Sequence, residues 1–222
     1  MIPWVELDRA PVPDGGELRL LQRGAEFSIM AGPIVLMNSR ISGSEEQLAV
    51  LALERLAGRK KPRLLIGGLG MGFTLRAALA ARPDAQIAVA ELLPAIVAWG
   101  RGPLAAIFAG SLDDKRVTIS VGDVGALIRS SRAGYDAILL DVDNGPEGLT
   151  RDGNGGLYAA AGLRAAHSAL RPGGVLAVWS AHPSPPFTRL LGQCGFAVEE
   201  LKLRARGKSG GSRHVIWMAT KR

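Results

Sequence analysis

The sequence predicts an α/β fold: a seven-stranded, mostly parallel Rossmann-like sheet with an antiparallel C-terminal hairpin, preceded by a small N-terminal β unit. Three observations lead there. From Arg63 onward, short apolar runs alternate with helical stretches, and the runs show too little polar alternation for a sheet with one wet face. Directly behind the first run, LLIGGLGMGF (Leu64–Phe73) puts four glycines into six positions, the pattern of a strand, a tight turn and a helix start. At the far end, FAVEELKLRA and RHVIWMATK flank GKSGGS, which reads as a hairpin. The 222 residues, 47% hydrophobic and 21% charged, suffice for one generous domain with an aliphatic core. Residues 1–43 are read as the small β unit and 44–222 as the α/β domain.

Taken in order, WVELDRA, ELRLLQR, EFSIMAG and PIVLMNS form short strands punctuated by Pro-Asp-Gly-Gly, Gly24 and Gly32-Pro33. Ser44 and Gln47 fit a capping box ahead of a helix that ends near Gly58. The α/β units then follow: RLLIG with a helix over Thr74 to Ala81, QIAVAE with Pro94 to Ala109, and RVTISVGD with Val124 to Ser131. YDAILLD precedes a helix over Leu157 to Leu170, and GGVLAVWS one over Pro186 to Gln193. Five β-α units closed by a hairpin describe the sheet of class I methyltransferases; a plain dinucleotide fold has no reason for the hairpin.

Composition narrows the function classes. No window approaches the roughly 20 consecutive apolar residues that span a bilayer, and the N-terminus lacks a basic start followed by an apolar stretch. A single cysteine, Cys194, excludes an internal disulfide and fits a cytoplasmic location; in GQCGF it reads as a buried structural thiol. The net charge of +7 lies in the C-terminal 22 residues, which hold seven basic side chains and no acidic ones. Such a segment can attract nucleic acid, but only Trp217 interleaves the charges, so a solvated sheet edge is the preferred reading. The three histidines and one cysteine show no metal-ligand spacing, and no metal is expected.

The glycine loop then sets the chemistry. A Walker phosphate loop needs a lysine where Phe73-Thr74 stands. The dinucleotide fingerprint wants a third glycine where Phe73 lies. What remains is G-x-G-x-G, Gly68-Leu69-Gly70-Met71-Gly72, by which class I adenosylmethionine enzymes pass the backbone under the methionine part of the cofactor. Glu91 ends the second strand, where a carboxylate can accept hydrogen bonds from ribose hydroxyls. Asp123 ends the third, where an acid commonly accepts the adenine amino group, with Leu92 and Val124 placed to sandwich the ring. Asp123 also fits a helix N-cap.

The fourth strand ends YDAILLDVDNGPEGL, with Asp141, Asp143 and Asn144 at the same sheet edge. Here, and through LYAAAGLRAAHSALRPGGVLAVWS, the sequence resembles the spermidine synthase family, the aminopropyltransferases. The resemblance covers nearly the whole chain. It implies that Glu91 is the ribose-binding acid, Asp123 the adenine-binding acid, and Asp141 the base that takes the proton from the attacking amine. It implies S-adenosylmethionine or its decarboxylated form as cofactor, a small-molecule acceptor and a homodimer. Three departures weaken the polyamine half: Met71 stands where the family's aspartate holds the aminopropyl ammonium, Asn144 replaces the second aspartate, and the polyamine-contacting tyrosine and histidine before the first helix are absent. Asp143 can restore one charge beside Asp141.

The expected function is a transferase with Asp141 and Asp143 as catalytic acids and Asn144, Tyr158 and His182 on the acceptor side. Methyl transfer to another acceptor, or nucleoside binding without catalysis, stay open. His167 is expected on a helix surface and His214 as structural.

Overall fold

The computed structural model describes residues 2–13, 15–142, 145–146, 155–204 and 213–222. Among these, the N-terminal unit is one antiparallel sheet of four strands in sequential order: β1 (Val5–Pro11), β2 (Glu17–Arg23), β3 (Glu26–Ala31) and β4 (Ile34–Asn38). Helix α1 (Gly43–Glu54) leads into the second sheet, built from β5 (Arg63–Gly67), β6 (Gln86–Glu91), β7 (Val117–Val121), β8 (Tyr135–Leu140), β9 (Leu170–Ser180), β10 (Phe196–Arg204) and β11 (Arg213–Lys221). Its order is β10-β11-β9-β8-β5-β6-β7, and β11 runs antiparallel to both its neighbours. The connecting helices are α2 (Phe73–Ala81), α3 (Pro94–Arg101), α4 (Ala105–Phe108), α5 (Val124–Ser130), α6 (Gly155–Tyr158), α7 (Ala160–Ala169) and α8 (Pro185–Gln193).

The central strands are apolar on both faces because both faces are covered. Leu64, Ile66, Ala137, Leu139, Val175 and Ala177 join one hydrophobic cluster, and the intervening Leu65, Ile138, Leu140, Leu176 and Val178 join the other. The first cluster includes α1, α2 and α3 residues and the inner face of the small sheet, where Leu18 is 5% and Ile29 0% exposed. Each such aliphatic side chain contributes about 1.5–3 kcal/mol by leaving water. The small sheet is also tied down by polarity: the Trp99 indole N–H on α3 donates to Asp8 of β1 over 2.7 Å and holds that carboxyl below its usual range.

Four expectations about elements need correction. The helix start is not a capping box on Ser44; Ser42 is the N-cap residue, and Ser44 is fully buried within the first turn, its hydroxyl engaged by side chains. The helix expected over Pro94 to Ala109 is two, because Gly102 ends α3 and Pro103 cannot continue it. The helix expected over Leu157 to Leu170 is likewise two, broken at the extended Ala159, and Leu170 already belongs to β9. Gly162 makes that break possible: a Cβ there would lie 2.3 Å from the Gly156 and Leu157 carbonyl oxygens. Finally, α1 stops at Glu54 and reaches Gly58 only as turns. Among the described basic residues near the C-terminus, Lys202 and Arg204 lie on β10, the outermost strand, and Arg213 and Lys221 on β11 inside it.

At the opposite edge from the glycine loop, Asp136 of β8 is 2% exposed and gathers the Arg59 guanidinium (2.6 Å), the Arg171 guanidinium (3.0 Å) and the Arg63 backbone N–H (2.8 Å). This cluster clamps the amino-terminal ends of β5 and β8 and the start of β9 together.

Candidate active site

Strand order reverses between β5 and β8, since the chain runs from β5 outward through β6 to β7 and returns to the other side of β5 as β8. In sheets of this kind the crevice beyond the carboxyl ends at such a switch point is where ligands bind. A cavity of ≈ 400 Å³ opens there, walled by the glycine loop, the ends of β6, β7 and β8, the first turn of α1 and the inner face of the small sheet.

The loop can take its path only as glycine. Gly68, Gly70 and Gly72 have φ of 88°, 53° and 79°, in the left-handed region. A Cβ on Gly68 would sit 2.2 Å from the Asp141 carbonyl oxygen, so the loop passes directly over the end of β8. Gly68→Ala is therefore expected to abolish ligand binding and lower the melting temperature, since strain and clash act together. Calorimetry with methylthioadenosine alongside thermal melts checks this; an alanine variant with wild-type values for both would refute the close approach.

The acids converge as expected, though each has a protein partner. Glu91, 7% exposed, accepts the Leu69 N–H on one oxygen and the Leu93 N–H on the other, both at 2.8 Å. Burial raises its carboxyl above the usual range, and the backbone N–H groups of Leu93, Leu69, Gly70 and Leu92 oppose that rise. Asp123 caps α5 by accepting from Gly125 N (2.8 Å) and Ala126 N (3.1 Å), and it pairs with Arg129 at 3.1 Å. Asp141, beyond β8, accepts the Thr74 hydroxyl at 2.8 Å. Burial, then the charge of Glu45, push its carboxyl up to about 7, while the Thr74 bond opposes them.

Gly68, Leu69, Gly70, Met71, Glu91, Leu92, Asp123, Val124 and Asp141 all line the cavity. Met71 is 2% exposed and packs in the first hydrophobic cluster, so the wall at that position is apolar. Gly72 lies one step back, against the Phe108 ring. Tyr158 is placed elsewhere: it is buried in the second cluster, edge-on to Phe187, with its hydroxyl donating to the Val142 carbonyl at 3.2 Å. His182 follows β9 in a turn made with Ser180 and does not line the cavity. Asp143 and Asn144 lie outside the described residues.

The sequence reading assigned no site role to Glu45, to Trp179, to the roof supplied by the small sheet, which includes Leu36, Met37 and Asn38, or to Thr74, the partner of Asp141. Glu45 lies in the first turn of α1. Burial raises its carboxyl too, against a hydrogen bond from Ser44. Trp179, also on the wall, carries a buried indole N–H without a hydrogen-bond partner among the described residues. The cavity's charged lining is Glu17, Glu45, Glu91, Asp123 and Asp141; no Lys, Arg or His joins it among the described residues. An anionic pyrophosphate has no partner there, whereas a cation would be favoured. No group of three or more His, Cys, Asp or Glu among the described residues is placed to hold a metal ion, and no helix is long and apolar enough to cross a membrane.

A glycine loop, strand-end acids and a C-terminal antiparallel hairpin on a seven-stranded sheet define the methyltransferase-type α/β class. Within that class the fold is that of spermidine synthases. A spermidine synthase from Thermotoga maritima superposes with a TM-score of 0.79 at 17% identity, over 98% of this chain and 73% of that one. A spermidine synthase in complex with the transition-state analogue AdoDATO gives 0.78 at 16% identity, over 98% and 72%. In sequence, the chain is similar to putrescine N-methyltransferase 4 of Nicotiana tabacum, 35% identical over 132 residues, covering 59% of this chain and 32% of the relative. It is also similar to a polyamine aminopropyltransferase of Mycobacterium tuberculosis, 33% identical over 123 residues, covering 54% and 23%. The matches thus span about a third or less of these curated relatives' own length. No family model matches. By fold and by sequence likeness together, the chain is spermidine synthase-like.

Proposed function

We propose that this chain is a transferase that binds an adenosyl sulfonium compound, S-adenosylmethionine or its decarboxylated form, and passes one of its carbon substituents to an amine. One observation carries the reading: the glycine loop and the acids Glu91, Asp123 and Asp141 meet on one cavity whose charged lining, among the described residues, is acidic. The donor's sulfonium supplies the electrophilic carbon. Glu91 holds the loop and keeps lone pairs for ribose hydroxyls, while Leu92 and Val124 offer flat apolar contact to a base. Asp141 takes the proton that the nucleophilic amine gives up, and its raised pKa suits that task near neutral pH.

Calorimetry tests this with the sulfonium donors, neutral methylthioadenosine and NAD as the anionic control. Sulfonium donors are expected to bind about tenfold tighter than methylthioadenosine, about 1.4 kcal/mol, and NAD not at all. Failure of all the adenosyl sulfur compounds to bind overturns the reading.

Within it, Met71 favours methyl transfer as a second reading. A decarboxylated donor presents an ammonium with no carboxylate to match it at Met71. Incubation with each donor and putrescine, with mass spectrometry of the products, separates methylputrescine from spermidine.

A further inference from the structure

We infer that Glu45, Ser44 and His214 form a proton relay leading from Asp141 to the protein surface, with Ser44 and His214 as positioning residues. The inference rests on Asp141 being the base, as proposed above, and the geometry is specific. The Ser44 hydroxyl, on a fully buried residue, donates to Glu45 Oε2 at 2.7 Å and lies 2.9 Å from His214 Nδ1. Glu45 lines the cavity with Asp141, close enough for its charge to raise the Asp141 carboxyl, and the Thr74 hydroxyl reaches Asp141 Oδ2 at 2.8 Å and the Glu45 backbone carbonyl at 3.2 Å. His214 begins β11, half-buried, with its ring held edge-on by Trp179 at 4.8 Å. Ser44 was expected to cap a helix; its hydroxyl instead meets the ring of His214.

The steps balance. As the new C–N bond forms, the C–S bond breaks and its electron pair leaves with sulfur. The proton of the attacking nitrogen passes to Asp141 and from there, carried by a water in the cavity that both carboxyls line, to Glu45. Glu45 Oε2–H gives its proton to Ser44 Oγ, which releases its own to His214 Nδ1. His214 sheds a proton from Nε2 to water, and the reverse rotation of the hydroxyl resets the chain. Burial, and after it the charge of Glu46 on α1, raise the proton affinity of Glu45, and burial with the neighbouring His182 lowers that of His214, so the proton rests on the acid side and occupies His214 only in transit.

The test needs no known acceptor. Protein with ¹³C-labelled carboxyls and ¹⁵N-labelled histidine is titrated by NMR as wild type, Ser44→Ala, Ser44→Thr and His214→Gln. In the wild type, the His214 Nδ1 signal is expected to show an inflection at the pH where Asp141 titrates, about 7. Ser44→Ala removes that inflection, Ser44→Thr restores it, and His214→Gln shifts the midpoint of the acid pair. Identical His214 curves in the wild type and Ser44→Ala, or an acid pair indifferent to His214→Gln, overturn the relay. Methylthioadenosine calorimetry on the same samples keeps the two ideas apart, because lost binding in the wild type sinks the proposed function and leaves the coupling measurable.

Discussion

Asp141→Asn is expected to abolish group transfer and, at the same time, to raise thermal stability at pH 8. The two effects have one cause. The folded protein holds a proton on Asp141 up to about pH 7, whereas the unfolded chain releases it near its ordinary value of 3.8. Between those values the unfolded state binds fewer protons, so the contribution of this group to stability falls as pH rises from about 4 to about 7 and stays low above. Asparagine keeps the size of the side chain and an oxygen for the Thr74 hydroxyl but carries no charge. Its advantage over aspartate therefore grows between pH 5 and pH 8. Within that window the two units from pH 5 to the folded value of about 7 set a ceiling of about 3 kcal/mol. For a chain of this size that is a gain of roughly 6–12 °C in Tm across the pH range. Activity, where aspartate is present, rises with pH through about 7 as the carboxylate forms. Loss of the base should cost about 100-fold or more. Melting curves of both proteins at pH 5 and pH 8 decide the matter, and parallel curves would refute a buried acid pair.

Asp136→Ala acts at the other end of β8 and in the opposite direction. It leaves the Arg59 and Arg171 guanidinium groups and the Arg63 N–H facing a buried gap. Removing one partner from a buried charge cluster typically costs about 3–5 kcal/mol. Tm should fall by roughly 6–20 °C at this chain length. Five residues of extended strand, about 17 Å, separate Asp136 from Asp141. Methylthioadenosine affinity at a temperature where the variant is folded is thus expected to match the wild type. A combined loss of affinity and stability would show that the two ends of the strand are not independent.

The sheet was legible in the sequence because its determinants are local. Uninterrupted apolar runs mark strands buried on both faces, and glycines mark turns that no other residue makes; the bounds of β2, β3, β5 and β6 follow those runs closely. Breaks at Gly102-Pro103 were visible in principle and were overridden by the helical periodicity on either side. The break at Ala159 was not visible, since it depends on the packing of Gly162 against the preceding turn. The site divides the same way. Acids at successive strand ends announce themselves by position. Glu45 and Trp179 reach the cavity, and Thr74 reaches Asp141 behind it, through tertiary packing that no spacing rule encodes. Tyr158 shows the converse: a residue close in sequence to the site turned into the core by the helix that carries it.

The small N-terminal sheet has a bearing on how the cavity can change over evolutionary time. Leu18 and Ile29 are core residues and cavity wall at once. Any substitution that reshapes the pocket there also removes packing, so selectivity and foldability are inherited together at those positions. Gly15, Gly16 and Glu17 line the same space from a solvent-facing hairpin without belonging to that core. Gly15 and Gly16, at φ of 92° and 88°, are held to glycine by the turn. Divergence toward a new acceptor has its freest route at Glu17, whose exchange gives up an exposed pairing with Arg9 and no core packing.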